Sequence, residues 1–117
     1  MSYLFEVEDR TVWSPALRVG QIYVEYVRSL ERVYGLEAGF TQTTEDSVRI
    51  DAQVFAGFVT HLLSTAGEGR HLVLELELRA VAIPALVILD RAGLSTTMSV
   101  GASLMGEATT YARRMPE

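Results

Sequence analysis

Apolar positions recur with two different periods along this chain. The first stretch alternates. Tyr3, Phe5 and Val7 fall on one face at a spacing of two, and the residue types are aromatic and branched, as strands prefer. Glu8-Asp9-Arg10 reads as a turn and Thr11-Val12-Trp13 as the returning strand, so residues 1–13 are expected to form a β-hairpin. Two strands alone are marginal in water. The hairpin must therefore lie on helices or be extended by a strand from another chain.

The helical period takes over at Ser14-Pro15. Ser14 suits an N-cap and Pro15 the first helical position, where its missing N–H costs nothing. Val19, Tyr23, Val27, Leu30 and Tyr34 then recur at spacings of three and four, and Gly35 is a natural C-terminal stop. Arg18, Gln21, Glu25, Arg28 and Arg32 form the opposite stripe, with Glu25 expected to pair with Arg28. Ile22, Val24, Tyr26 and Val33 widen the apolar face beyond what one packed neighbour needs. A second helix is expected from Asp51, an N-cap residue, with Ile50 and Phe55 spaced as a hydrophobic staple, and with Ala66-Gly67-Glu68-Gly69 ending it.

Residues 70–92 first look strand-like, because Leu72 to Arg79 alternates. Leu, Glu, Arg and Ala favour helix, however, and Glu75 and Arg79 form a supportive i, i+4 pair. From Ala80 to Leu89 the chain is apolar all round, which predicts the central, most buried helix, kinked at Pro84 and ended by Gly93. A fourth helix is expected over 97–115, capped by Ser95 or Thr96. Its apolar stripe is Val100, Leu104, Ala108, Tyr111 and Met115, and Gly101, Ala102, Gly106 and Ala112 allow close approach of another backbone. Residues 36–50 remain as a long connection. Thr44-Glu45-Asp46-Ser47 is a candidate helical turn within it, and Phe40 a plug for the bundle end. These elements add up to an α-rich α+β fold: a four-helix bundle-like domain over 14–115 with an N-terminal β-hairpin over 1–13, in one domain spanning 1–117.

Composition mostly excludes. The chain has 117 residues, no cysteine, no lysine and no asparagine, and all ten basic residues are arginine. Disulfides, thiolate metal sites, thiol nucleophiles, Schiff-base chemistry and a P-loop lysine are thereby removed. A net charge of −5 and a pI near 5.0 argue against a nucleic-acid partner. The longest wholly apolar run, Ala80 to Leu89, falls far short of a membrane span. The opening Met1-Ser2-Tyr3-Leu4-Phe5-Glu6 lacks a basic region ahead of an apolar one, so no secretory signal is expected and the cytoplasm is the expected location.

Candidate chemistry is sparse. The histidines, His61 and His71, are ten residues apart and make no helical metal motif, so no metal or cofactor is expected. Glu75 and Glu77, two apart on a helix, point away from each other and form no acid/base dyad. No catalytic residue is assigned. The aromatic residues are the least ordinary feature: they crowd into the first 34 positions, and Tyr and Trp are enriched at interfaces. Phe5, Trp13, Tyr23, Tyr26 and Phe40 are therefore the candidate interface residues. His61, with Tyr23 and Pro84, marks a candidate pocket between helices.

The opening Ser2-Tyr3-Leu4-Phe5-Glu6-Val7, the segment Trp13-Ser14-Pro15-Ala16-Leu17-Arg18-Val19-Gly20, and more weakly Ile83-Pro84 through Leu89-Asp90-Arg91-Ala92-Gly93, resemble a family of short uncharacterised actinobacterial proteins. The absence of lysine and asparagine, both encoded by AT-rich codons, agrees with a GC-rich source. The resemblance implies a domain of unknown function and carries no site residues with it. The leading functional expectation is a non-enzymatic interaction module that self-assembles, most commonly as a two-fold dimer. A small-ligand binder or enzyme with a pocket between helices is the first alternative. An immunity-type or regulatory partner of a basic protein, steered by net negative charge, is the second.

Overall fold

The computed structural model describes residues 1–65, 72–94 and 102–117. In chain order the elements are β1 (Leu4–Val7), β2 (Arg10–Trp13), α1 (Leu17–Tyr34), β3 (Phe40–Thr44), β4 (Ser47–Ile50), α2 (Ala52–Thr65), α3 (Leu72–Arg91) and α4 (Ala102–Ala112). The strands form one mixed sheet in the order β2-β1-β4-β3. The N-terminal hairpin is present, but the four-helix bundle is not: the fold is a layer of helices on one face of a four-stranded sheet.

The difference arises at residues 36–50. They are a second hairpin, not a loop with a helical turn. Glu45-Asp46 is its two-residue turn, and Thr44 Oγ1 bonds the Asp46 carboxylate and the Ser47 hydroxyl there. β3 pairs antiparallel with β4, and β4 pairs parallel with β1, Phe5 opposite Val48. The first hairpin thus gains its support from a second hairpin, which follows α1 in the chain. Thr41 to Thr44 are all exposed and polar, so nothing in their hydropathy marks a strand. Phe40 points inward instead, with its ring 5.0 Å from that of Phe55 and 6.3 Å from that of Phe5.

A bulge shapes the first hairpin. Phe5 faces Trp13 and Glu6 faces Thr11, so Val12 is an extra residue on β2. That irregularity lets the consecutive side chains Val12 and Trp13 both be buried, which a regular strand on a one-sided sheet does not allow. The inner face carries Phe5, Val48, Ile50 and Phe40; Leu4, Arg49 and Thr41 face outward.

α1 begins later than its sequence signals indicate. Ala16 occupies the N-cap position without a side-chain cap, and Pro15 lies outside the helix. Ser14 is otherwise engaged: its N–H donates to the Pro116 carbonyl and its hydroxyl to the Glu117 carbonyl. Gly35 does end α1, at φ +64°, donating to the Glu31 carbonyl. The buried stripe of α1 is Gly20, Tyr23, Val27 and Leu30, whereas Val19 is half exposed. Gly20 is there because Tyr3 crosses over it: a Cβ at position 20 would stand 2.3 Å from the Tyr3 Cβ.

α2 starts as expected. The Asp51 carboxylate accepts the Val54 N–H at 3.2 Å, and Ile50 and Phe55 are both buried. α3 is helix from Leu72 onward and continues through Pro84. It is the central helix, packed on α1, α2, α4 and β2. The expected stop at 66–69, the caps at Ser95 and Thr96, and the residues 70–71, 95–101 and His71 lie outside the described residues. In α4, no described residue comes within 4 Å of where a Cβ on Gly106 would stand, so the close backbone approach expected there is not made among the described residues.

Arginine side chains lock the layers. Arg91, at the end of α3, donates to the Val12 carbonyl of β2 and to the Ala112 and Met115 carbonyls at the end of α4, at 2.6–3.1 Å. It thereby joins the last carbonyl of α4, which also accepts the Met115 N–H, and the segment just beyond the helix to β2. Arg28 bonds Glu31 at 2.9 Å and the Phe40 carbonyl at 3.0 Å, while Glu31 accepts the Ala38 N–H. Arg28 is thus paired with Glu31, not with Glu25.

The close approach at Gly20 makes a direct prediction. Gly20→Ala is expected to destabilise the protein by about 1–3 kcal/mol in chemical denaturation, because Tyr3 must shift. Gly57→Ala, at an exposed α2 position with nothing within 4 Å, is expected to stabilise it by roughly 0.5–1 kcal/mol.

Candidate functional site

α1 carries more apolar surface than the core uses. Beside its buried stripe run Val19, Ile22, Tyr26 and Val33, each between 41% and 63% exposed. The N-terminal half of α3 also exposes Leu72, Val73 and Leu76, and α4 exposes Tyr111. Between these helices lies an open groove of about 540 Å³, lined by Val19, Ile22, Tyr26, Pro84, Tyr111 and Met115 among others. A neighbouring depression of about 360 Å³ extends it past Ala80 and Pro84 to Leu76, and its rim is the Arg79–Glu107 ion pair.

The groove floor is set by a polar contact. Pro84 has no N–H to offer the Ala80 carbonyl one turn earlier. Beside that interruption the Tyr23 hydroxyl donates to the Val81 carbonyl at 2.8 Å, so a buried phenol ties α1 to α3. Burial pushes the Tyr23 phenol far above its ordinary value of 10.0, and its proton is fixed in this bond. Tyr23 therefore offers the groove a ring and no free polar group.

The candidate residues do not form one site. Phe5, Trp13, Tyr23 and Phe40 are interior: Phe5 stacks on Trp13 at 4.7 Å, and Tyr23 meets both edge-on at 5.7 and 5.2 Å. Tyr26 is at the surface, in the groove. His61 is exposed on α2, edge-on to Tyr34 at 5.5 Å, and is not part of the groove that Tyr23 and Pro84 line. Ile22 and Val33 were visible in the sequence as an over-wide apolar face. Leu72, Val73 and Leu76 were hidden by their strand-like alternation, and Tyr111 by its place in an apparent core stripe.

A second concavity, about 850 Å³, opens at the other end of the sheet, lined by Glu8, Asp9, Arg10, Arg49 and Asp51 among others. Acids and arginines are mixed there, and the Asp51 carboxylate is committed to capping α2. Among the described residues, no group of three histidines, cysteines or carboxylates is placed to hold a metal ion, and no helix is long and apolar enough to cross a membrane.

The chain belongs to the family of unknown function DUF6086, whose model matches residues 1–117. No curated protein and no solved structure matches it.

The Tyr23 bond is open to test. Tyr23→Phe is expected to cost about 0.5–1.5 kcal/mol, since it removes the buried hydrogen bond that ties α1 to α3. The pH dependence follows from the raised phenol. Its contribution is complete below pH 10.0, where the unfolded tyrosine is still protonated, and declines as pH rises further and the unfolded state ionises. Denaturation between pH 8 and 11 should show wild-type stability falling at the alkaline end by up to roughly 1.4 kcal/mol per pH unit from this group. The Tyr23→Phe variant should fall less steeply, retaining the same-signed contribution of buried Tyr3.

Proposed function

We propose that this protein is a non-enzymatic interaction module that assembles with a second copy of itself through the groove between α1, α3 and α4. One observation carries the reading: an apolar groove between three helices, continued by the neighbouring depression, with Val19, Ile22, Tyr26, Leu76 and Tyr111 each more than two fifths exposed along it. Single exposed apolar residues are ordinary on any surface. A cluster of this kind rimmed by charge marks a contact surface. Aromatic and branched residues with a polar rim are also the composition of an interface centre.

The groove's chemistry weighs against catalysis. The Tyr23 hydroxyl is consumed in its bond to Val81, Arg79 and Glu107 at the edge are paired with each other, and His61 lies elsewhere. What lines the groove is mainly rings and branched side chains, with no histidine or carboxylate among its lining residues. The volume does suit a small apolar molecule, since ligand pockets run to about 300–1,000 Å³. That second reading is separated from the first by mass.

Native mass spectrometry with sedimentation at roughly 100 µM chain is expected to show twice 12.9 kDa, and Ile22→Glu is expected to weaken assembly at least about a hundredfold while leaving the circular dichroism unchanged. A wild-type monomer with no added mass overturns self-assembly. A monomer with added mass favours the small-molecule reading.

A further inference from the structure

The exposed stripe of α1 has a sharper property than apolarity. Val19, Ile22, Tyr26, Ser29 and Val33 recur at alternating spacings of three and four, the seam of a two-helix coiled coil. α1 is about 27 Å long at 1.5 Å per residue, so the seam runs most of its length. Charged residues flank the seam on its solvent side: Arg18, Glu25 and Arg32, one per heptad, all exposed. Arg28 and Glu31 are taken up in binding Phe40 and Ala38, whereas Glu25 and Arg32 make no ion pair or hydrogen bond among the described residues. The helix therefore presents an apolar seam with unspent charges of both signs along one border.

These charges select a geometry. Resting on the proposal that the protein self-assembles, we infer that two copies pair α1 against α1 antiparallel, with Ile22 opposite Val33 of the partner subunit and Tyr26 opposite the partner's Ser29. The two-fold axis then passes between Val27 and Arg28. In this register Glu25 stands two residues, about 3 Å along the axis, from the level of the partner's Arg32, within reach of the long arginine side chain, and by symmetry Arg32 stands so to the partner's Glu25. The large Tyr26 ring meets the small Ser29 side chain of the partner subunit, so the seam is filled without two tyrosines competing for one place. Sliding the helices by one heptad toward their N-termini puts Glu25 at that same two-residue offset from the partner's Glu25, and Arg18 from the partner's Arg32, both repulsive. A parallel pair also sets like residues at the same height. Charge complementarity thus favours a second copy over an unspecified partner, and one register over its neighbours.

Charge reversal tests the register on the full chain. Glu25→Arg and Arg32→Glu alone each turn two attractive contacts per dimer into repulsive ones. Each single variant is expected to weaken dimerisation about tenfold in sedimentation equilibrium at low salt, and the double variant to return within about twofold of wild type. In 1 M salt, where screening acts within about 3 Å, the differences should collapse. A wild-type dimer that Ile22→Glu dissociates, but in which the double variant is no tighter than either single one, overturns the register and leaves assembly through α1 standing. A dimer unaffected by Ile22→Glu places the contact on another surface and overturns both the register and the groove. A wild-type monomer at the same concentration removes the proposed function together with this inference.

Discussion

Phe5 is the residue around which the fold closes. It sits on β1, an interior strand of the sheet, fully buried, with Trp13 stacked on it and Tyr3, Tyr23 and Phe40 around it within 6.3 Å. Each of those rings belongs to a different piece of chain: the first strand, the returning strand, α1 and the second hairpin. Aromatic pairs gain roughly 0.5–1.5 kcal/mol each beyond their burial, so the cluster holds four segments to one point. The close passage of Tyr3 over Gly20 follows from it, because α1 can reach this cluster only where it has no side chain.

Around that centre, long side chains tie the segments together through backbone carbonyls. Arg91 reaches β2 and the end of α4, Arg28 reaches β3, and Tyr23 reaches the α3 backbone beside Pro84. Both outer strands of the sheet are thereby partly covered: β2 by Arg91, with the Pro116 carbonyl bonded to Ser14 just beyond the strand, and β3 by Arg28. This limits edge-to-edge association through the strands. The uncovered apolar surface lies instead on the helices, where α1 spends one side of a wide apolar arc on the core and leaves the other in solvent.

Much of the helical layer was legible in the residues. Gly35 ends α1, Asp51 caps α2, and the all-round apolar run from Ala80 to Leu89 is the buried centre, because backbone stops, caps and amphipathic period are local properties. The second hairpin was not legible. Thr41 to Thr44 form an edge strand with one neighbour and little burial, so they carry no alternation, and their partner β4 is identified only by its pairing with β1. Ser14-Pro15 has every local feature of a helix start, yet α1 begins at Leu17, because the Ser14 groups bond Pro116 and Glu117, some hundred residues away.

The candidate surface divides in the same way. The excess width of the α1 face is a matter of spacing, and the amino-acid sequence alone determined it, together with the lack of cysteine, lysine and metal-ligand patterns. Which part of that face is core and which is exposed was decided only by tertiary structure. α1 meets Tyr3 at Gly20 and α3 through the Tyr23–Val81 bond, and both are contacts between distant segments. Those two contacts turn Tyr23 inward and leave Ile22 and Tyr26 in the groove, though all three read as equally apolar in the linear chain.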